Sequence, residues 1–362
     1  MKIVNVALNS SPYKIIIGEN TFKEISGQLK RLSLSPNAII ITNPIVGKLY
    51  QRTLVSALNK NNITAKVIQV PDGEKSKSLK YVQILLETIA EYDQLKNVFI
   101  IALGGGVIGD LAGFVAAIYK RGVDFVQVPT TLLAQIDSAI GGKVGVDLNI
   151  GKNLVGAFYQ PKIVYSDVAL LSSLNIRQIR NGLAEAIKYG IIYDSKFFKF
   201  IEQNYSLLLK KDLGTLLKVV HRCSQIKAEV VLADEKETKS IRTILNFGHT
   251  LGHAIEAAGK YKLYHHGEAI ALGMRMAADL SLKKKLINSS QVQQINSLIS
   301  NVGLPEKVKN IKVPQILKIM QYDKKFISGK NRFVLAEKIG KVRVVEALPI
   351  KMIEASIRKF MV

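Results

Sequence analysis

The apolar segment Val98-Phe-Ile-Ile-Ala-Leu103 runs directly into Gly104-Gly-Gly-Val-Ile-Gly109-Asp110, and these residues indicate the fold of the first half. A short, wholly apolar run is typical of a strand buried on both faces of a parallel sheet. The glycines have the spacing G-x-G-x-x-G and open a helix, where backbone N–H groups can approach a pyrophosphate. Two interpretations follow: a dinucleotide-binding turn, or a turn that only lets helix and strand pack closely. The motif departs from the usual fingerprint because it follows the third strand of its unit.

Strand and helix patterns alternate on both sides of this stretch. A hairpin is predicted within Met1–Gly18. Further strands are predicted at Ala38–Thr42, Ala65–Val70 and Phe125–Val128, with helices near Val46–Leu58 and Leu79–Tyr92. Strands that alternate with helices favour a parallel, doubly wound sheet.

The pattern changes after about Leu171. Apolar residues recur at helical spacing from Arg177 to Ser300, and two strand-like runs, Arg332–Ala336 and Val342–Ala347, precede a final helix. We therefore predict an α/β protein of two domains. Residues 1–172 would form a Rossmann-like, parallel-sheet nucleotide-binding domain, and residues 173–362 a mainly α-helical domain that binds metal and substrate.

Charge and composition restrict the class of partner. Lys and Arg number 51 against 28 Asp and Glu, a formal net charge of +23. A basic chain can bind nucleic acid, but the lysines are scattered and tryptophan is absent. We expect a basic cleft for a small anion and no nucleic-acid partner. The sequence has no signal-peptide pattern, no apolar run of membrane-spanning length and one cysteine, Cys223, so we expect a cytoplasmic protein without membrane contact.

Four of the five histidines fall between His249 and His266. His249 and His253 share one face of a predicted helix, and His265 and His266 precede the next apolar run. Neutral imidazole is the commonest metal ligand, so this cluster predicts a divalent metal site. The alternative is a set of core or surface histidines without metal. A zinc-protease motif is absent because no glutamate follows His249.

Charged residues beside glycines supply candidate anion sites. The loop Asp72–Lys77 offers carboxylates for a ribose and lysines for phosphates. Asp137–Lys143 and Gly151–Asn153 place glycines next to lysines, which suits an anion but also describes an ordinary glycine loop.

Other charged residues lie around the histidine cluster. Glu185 and Lys188 are three apart on a helix, either as a surface ion pair or with Glu185 as a buried metal ligand. Arg242, Asn246 and Lys227 are either surface groups or parts of an anion pocket beside the metal.

Together these motifs resemble the 3-dehydroquinate synthase family of the sugar-phosphate cyclases, nearly from end to end. The matching segments are Asp72–Lys77, Gly104–Asp110, Arg121-Gly122, Pro129–Thr131, Asp137–Lys143, Gly151–Pro161, Asn181–Gly190, Asp234-Glu235, Leu245–Glu256, His266–Met274 and Asp323–Lys325. The chain departs from the family pattern at Ala139, Val144 and Asp147, which leaves the lysines intact.

The resemblance implies a metal, Zn²⁺ or Co²⁺, held by Glu185, His249 and His266, with His253 beside the substrate. It implies NAD bound by Thr42, Asp72, Gly73, Glu74, Lys75, Ser76, Lys77, Gly106, Val107, Ile108, Gly109, Asp110, Thr130, Thr131, Lys143, Lys152, Leu170, Leu171, Ser172 and Ser173. It implies an anionic sugar-phosphate substrate near Asp137, Lys143, Lys152, Asn153, Lys188, Lys227, Arg242, Asn246, Lys324 and Lys325. Arg121 resembles the family arginine that reaches a neighbouring subunit, which implies a homodimer.

The implied reaction converts 3-deoxy-D-arabino-heptulosonate 7-phosphate into 3-dehydroquinate and phosphate. Its implied course is transient oxidation by NAD, phosphate elimination, return of the hydride and an intramolecular aldol closure. Two alternatives stay open. A sibling cyclase would act on a sugar phosphate without a carboxylate, and a metal-dependent polyol dehydrogenase would release NADH.

Overall fold

The computed structural model describes residues 1–9, 11–94, 96–321 and 331–362. Contacts divide these residues into two units: Met1–Leu174 with Leu216–Lys236, and Asn175–Thr215 with Glu237–Val362. The predicted α/β class is confirmed. The domain boundary between residues 172 and 173 stays a prediction. The first unit also includes Leu216–Lys236, which the predicted boundary places in the second domain.

The regular elements follow one another in chain order. The strands are β1 (Lys2–Val6), β2 (Tyr13–Gly18), β3 (Asn37–Thr42), β4 (Thr64–Gln69), β5 (Val98–Gly104), β6 (Phe125–Pro129), β7 (Lys143–Leu148), β8 (Gly151–Phe158), β9 (Ile163–Asp167), β10 (Arg332–Lys338) and β11 (Lys341–Glu346). The α-helices are α1 (Ile25–Lys30), α2 (Pro44–Val46), α3 (Arg52–Asn59), α4 (Leu79–Asp93), α5 (Gly106–Ile118), α6 (Ile176–Ile192), α7 (Ser195–Leu209), α8 (Leu213–Ala233), α9 (His249–Ala258), α10 (His266–Lys283), α11 (Ser289–Asn301), α12 (Val313–Gln321) and α13 (Ile350–Lys359). Short 3-10 or π-helical turns lie at Phe22–Glu24, Gly47–Gln51, Glu74–Ser76, Tyr119–Arg121, Ala134–Ser138, Val168–Ser173 and Ile241–Asn246.

A seven-stranded sheet forms the centre of the first unit, in the order β1-β2-β9-β6-β5-β3-β4. β1 and β2 form the predicted antiparallel hairpin, and every other neighbouring pair is parallel. Side chains of β3 alternate between two cores: Ile39 and Ile41 pack with α4 and α5, whereas Ala38 and Ile40 pack with α1 and α3. Both faces are therefore covered, which explains why the central strands are apolar throughout.

Three strands of this unit were not predicted. β9 lies between β2 and β6 with all five residues buried, but its polar end, Ser166-Asp167, hides it in the sequence. β7 and β8 form an antiparallel hairpin, so the loop interpretation is wrong for Gly151–Asn153, whereas Ala139–Gly142 does form a turn before β7. Gly145 and Gly156 face each other there, and a Cβ on either would lie 3.1 Å from the Cα of the other. Glycine is depleted in strands, so the glycines that permit this close backbone contact made both segments look unlike strands in the sequence.

The second unit is mainly helical, as predicted. It contains α6, α7 and α9–α13, together with the two-stranded sheet of β10 and β11 and the final helix that the sequence indicated. Within the described ranges, every helix is too short or too polar to cross a membrane.

Glycines bring α9 and α10 into backbone contact. A Cβ added at Gly273 of α10 would lie 2.8 Å from the Gly252 nitrogen of α9 and closer still to the Gly248 carbonyl oxygen. Gly248 precedes α9 with φ +77°, a left-handed conformation that glycine adopts readily, and a Cβ there would lie 2.6 Å from Met274. No side chain fits between these segments, so the start of α9 is held against the body of α10.

The first turn of α10 is held against α6 in the same way. The Gly267 N–H donates to Asn181 Oδ1 at 2.5 Å, and a Cβ on Gly267 would lie 2.8 Å from the Asn181 Cα. Glu185 follows Asn181 by one helical turn. The glycine contacts thus place His249, His266 and Glu185, from three helices, in one region.

We expect Gly273→Ala to lower the free energy of unfolding by about 1–3 kcal/mol, because the added methyl overpacks backbone atoms that cannot move independently. Denaturant unfolding of the two proteins measures the difference. Gly27→Ala is the matched control, since a Cβ there meets no atom of the described residues within 4 Å and α1 should gain about 0.5–1 kcal/mol. Equal stability of Gly273→Ala and wild type would contradict the close-contact interpretation.

Candidate active site

Glu185, His249 and His266 form a compact group in the second unit. The Glu185 Oε1 atom lies 3.5 Å from His249 Nε2 and 3.6 Å from His266 Nε2. Bonds of about 2.0–2.2 Å to a tetrahedral metal would place neighbouring ligand atoms about 3.3–3.6 Å apart. The three groups therefore have the spacing of a metal coordination shell, and the donor set of two imidazoles and one carboxylate suits Zn²⁺ or Co²⁺.

Each imidazole is oriented through its other nitrogen. His266 Nδ1 lies 3.0 Å from a carboxylate oxygen of Glu256, which is 5% exposed, and His249 Nδ1 lies 3.2 Å from the Phe247 carbonyl oxygen. With Nδ1 engaged as a donor, both rings present Nε2 towards Glu185, as metal-binding histidines do. Glu256 was not among the predicted site residues. It lies seven residues after His249 and so shares a helical face with it, and that spacing was the available signal.

The charge of this group is held inside the protein. Burial favours neutral Glu185, but the Lys188 ammonium and His266 outweigh it and lower the pKa of Glu185 to about 2. Lys188 forms an ion pair with Glu185 and is only 2% exposed, so the surface alternative for this pair is wrong. Burial also lowers the pKa of His266, yet the Glu185 and Glu256 carboxylates raise it to about 10. Two buried carboxylates thus demand positive charge between them, which a divalent cation supplies.

His253 lies at the rim of this group and is exposed. Its ring centroid is 5.2 Å from that of His249 and 5.9 Å from that of His266. His253, Glu256 and His266 form a second set of ligand atoms within 4.8 Å of one another. The predicted histidine cluster is therefore present, with His265 preceding α10 and donating its N–H to Glu268.

Arg242 and Asn246 share the 3-10 helix that precedes α9. The Arg242 side chain is 3% exposed, and its Nε lies 3.3 Å from a carboxylate oxygen of Glu237. A buried arginine is costly unless anions surround it, which suits the predicted role in binding an anionic substrate.

The predicted NAD-binding residues follow the carboxyl ends of the parallel strands in the first unit. Thr42 ends β3, the loop Asp72–Lys77 follows β4, and Gly106–Asp110 opens α5 after β5. Thr130 and Thr131 follow β6, and Leu170–Ser173 lie in the turn after β9. Parallel strands end at one edge of a sheet, which is where ligands of such sheets bind.

Polar contacts connect these loops. The Asn43 amide donates to Asp72 at 2.7 Å, Lys77 pairs with Asp110 at 2.6 Å, and Lys152 lies 3.5 Å from Glu74. Burial raises the pKa of the Asp110 carboxyl against the effect of Lys77. Burial lowers the pKa of the Lys77 ammonium, but the nearby carboxylates, Asp110 foremost, together have the larger effect, so the pKa of Lys77 is raised.

Two observations in this edge fit a nucleotide. Among the described residues, no side chain caps the N-terminus of α5 at Gly105, so its first N–H groups can bind a phosphate. The hydroxyl of Thr42 is buried and makes no hydrogen bond to any residue that the structure describes. The glycines alone are weaker support, because a Cβ at Gly109 would lie 2.9 Å from Gln127 and packing therefore already requires glycine there.

Some predicted nucleotide-binding side chains are occupied by the fold. The Ser76 hydroxyl donates to the Pro71 carbonyl oxygen at 2.6 Å, and Ile108, Leu170 and Leu171 are buried apolar groups. At these positions only backbone atoms would be available to a ligand.

The remaining predicted residues of the first unit fall into separate contacts. Lys227 of α8 pairs with Asp137, and Asn153, at φ +54°, accepts from Lys77. Lys143 and Arg121 are exposed. The predicted Asp323, Lys324 and Lys325 lie outside the described residues.

Solved structures with the same fold include sugar-phosphate cyclases. A 2-deoxy-scyllo-inosose synthase complexed with carbaglucose-6-phosphate, NAD⁺ and Co²⁺ is 26% identical, has a TM-score of 0.91, and covers 99% of this chain and 100% of its own. A probable glycerol dehydrogenase from Sinorhizobium meliloti is 14% identical with a TM-score of 0.64, covers 96% of this chain and 95% of its own, and shows a shared fold alone.

Sequence comparison is more specific. Residues 67–181 match the family model described as 3-dehydroquinate synthase N-terminal, and residues 182–326 match 3-dehydroquinate synthase C-terminal. The 3-dehydroquinate synthase of Thermodesulfovibrio yellowstonii is 43% identical over 95% of this chain and 96% of the relative. That of Nitrosomonas europaea is 44% identical over 96% of this chain and 94% of the relative. With both halves matched and the resemblance extending over nearly the whole length, this chain belongs to the 3-dehydroquinate synthase family.

Proposed function

We propose that this protein converts 3-deoxy-D-arabino-heptulosonate 7-phosphate into 3-dehydroquinate and phosphate, as a phosphate-eliminating carbon–oxygen lyase. The observation that carries the proposal is the carboxylate of Glu185 facing two imidazole nitrogens at 3.5 and 3.6 Å, in a chain of this family. The direct experiment is phosphate release from this substrate with NAD and zinc present.

The proposed cofactors are NAD and a divalent cation, Zn²⁺ or Co²⁺. When bound, the cation would lower the pKa of a substrate hydroxyl, and NAD would accept a hydride and return it. Glu185, His249 and His266 would hold the cation, with Glu256 and the Phe247 carbonyl keeping both rings in orientation. The N-terminus of α5 would bind the pyrophosphate of NAD, and Thr42 and the Asp72–Lys77 loop would contact its remainder.

The proposed substrate is a sugar that carries both a carboxylate and a phosphate. The side chains proposed to contact it are mainly cationic and so complement its negative charge. Ammonium and guanidinium groups bind such anions by charge-assisted hydrogen bonds. We assign this role to Lys143, Lys152, Lys188, Lys227 and Arg242, with Lys324 or Lys325, and polar contacts to Asp137, Asn153, Asn246 and His253. Arg121 is proposed to act on the substrate of a second subunit in a cytoplasmic homodimer.

Two alternatives are less well supported. The sibling cyclase with a solved structure is 26% identical, against 43–44% for the named synthases. Arg242 also suits a substrate carboxylate, which a sibling's substrate lacks. A polyol dehydrogenase shares the fold at 14% identity and would consume NAD.

We expect NAD to be recycled within each turnover, because the net reaction neither oxidises nor reduces the substrate. Phosphate release should continue for many turnovers per NAD without a lasting rise in absorbance at the reduced-nicotinamide band. One NADH accumulated per substrate consumed would instead identify a dehydrogenase. Protein stripped of metal by a chelator is the control.

Arg242→Ala should lower kcat/KM for the heptulosonate phosphate about 10²- to 10³-fold, since losing one member of a desolvated charged pair costs about 2–5 kcal/mol. NAD binding should be unchanged, which tests that the variant folds. Arg358→Ala removes an exposed arginine paired with Glu354 and is the matched control. Full activity of Arg242→Ala would move the carboxylate-binding role elsewhere.

Glu256→Gln should weaken zinc binding about 10- to 100-fold, because the neutral amide no longer raises the basicity of His266. Competition with a chromophoric chelator measures the affinity without any assay of turnover. Glu354→Gln, at a half-buried carboxylate of α13 that pairs with Arg358, is the control. Glu185→Gln should lose far more affinity, and stoichiometric zinc in purified Glu185→Gln would refute the ligand assignment.

A further inference from the structure

Three consecutive residues between α5 and β6 have left-handed backbone. Lys120 has φ +47°, Arg121 φ +66° and Gly122 φ +130°. Glycine accepts this conformation, but Lys120 and Arg121 carry a Cβ that crowds their own carbonyl oxygen. Each non-glycine residue held in this region costs conformational free energy, so two in succession need the surrounding structure to hold them. Lys260 and Tyr261 are a second such pair in the chain.

A buried carboxylate holds this turn. Asp93, the last residue of α4, is 1% exposed and accepts the Tyr119 hydroxyl hydrogen bond at 2.9 Å. The Lys120 ammonium lies 2.5 Å from the same Asp93 oxygen, although the Lys120 side chain is 55% exposed. The Gly122 N–H donates back to the Tyr119 carbonyl oxygen at 2.8 Å and closes the turn. A buried charge is costly unless paired, so Asp93 fixes the position of Lys120.

Arg121 is the side chain that this turn leaves outside. It is exposed, and it makes no hydrogen bond or ion pair with any residue in the described ranges. Tyr119 and Lys120 both contact Oδ2 of the Asp93 carboxylate, and no contact joins Arg121 to Asp93 in the described ranges. The Arg121 guanidinium is therefore available to bind a ligand or a residue of another subunit.

We propose that Asp93 and Lys120 are positioning residues for Arg121: they hold the strained turn so that Arg121 is presented to an anionic ligand. The inference rests on the proposed function, in which that ligand is the phosphate-bearing substrate at the neighbouring subunit. Asp93 and Lys120 do not touch the substrate. They act through the backbone of the turn.

A double-mutant cycle separates this role from a purely structural one. Arg121→Ala should lower kcat/KM about 10²-fold through loss of a charged contact. Asp93→Asn keeps the shape but frees the turn, and a misplaced Arg121 should lower kcat/KM about 10- to 100-fold. The double variant should have the same kcat/KM as Arg121→Ala alone. Once the Arg121 side chain has been removed, a change in the turn that only displaces this side chain has no further effect.

Asp279→Asn is the matched control. Asp279 is also a buried carboxylate with two lysine partners, Lys283 at 2.7 Å and Lys359 at 2.6 Å. Any loss that it causes should multiply with that of Arg121→Ala. Lys120→Met carries the same test as Asp93→Asn should the latter not fold, and Lys120→Arg, which keeps the charge, should retain activity.

The inference is overturned if the losses of Asp93→Asn and Arg121→Ala multiply, or if Asp93→Asn and Lys120→Met leave kcat/KM unchanged. Failure of the proposed function has a different signature. Wild-type protein loaded with NAD and zinc would then release no phosphate from the heptulosonate phosphate, and the inference would fall with it.

Discussion

Backbone contact between α9 and α10 is the constraint on which the arrangement of Glu185, His249 and His266 depends. Gly273 lies against Gly252 and Gly248, so the helices cannot slide along each other without a collision of main-chain atoms. Gly267 fixes the start of α10 against α6 in the same way. His249 and His266 are the first residues of α9 and α10. Their positions are therefore fixed once the axes of the two helices are fixed. The two imidazoles and the carboxylate are thereby held close to one another.

Charge is distributed unevenly in this basic chain. The protein has few acidic residues, and several are buried beside lysines: Glu185 with Lys188, Asp93 with Lys120, and Asp279 with Lys283 and Lys359. A buried ion pair contributes little net stability, because desolvation offsets most of the attraction. These pairs instead fix positions. Removal of every cationic partner of one of these carboxylates would leave a buried charge uncompensated, which makes the arrangement intolerant of alternatives.

Much of the fold could be predicted because its signals are local. Apolar runs gave β3, β5 and β6, and helical spacing gave α4, α6 and α10. β9 was missed because burial at Ser166 and Asp167 depends on neighbouring strands that the local sequence does not reveal. The hairpin of β7 and β8 was missed because its glycines allow the backbones of the two strands to approach closely, whereas glycine usually indicates a turn.

Predictability of the candidate site divides in the same way. The histidines were visible from their clustering, whereas Glu185 could be a ligand or a surface group until its burial was known. Lys188 is buried against the usual behaviour of lysine. Glu256 was overlooked because its partner, His266, belongs to another helix. Only the folded arrangement of α9 and α10 joins the two.

The assignment of Leu216–Lys236 to the first unit has a consequence for synthesis of the protein. Neither unit is encoded by one uninterrupted segment, since Asn175–Thr215 belongs to the second unit and interrupts the first. Domains usually fold in order as they leave the ribosome. Here the first unit lacks a helix until α8 has emerged, and Lys227 cannot reach Asp137 before then. Completion of the first unit therefore waits for residues that lie well beyond its sheet, and a gene cut after residue 174 would encode an unfinished domain.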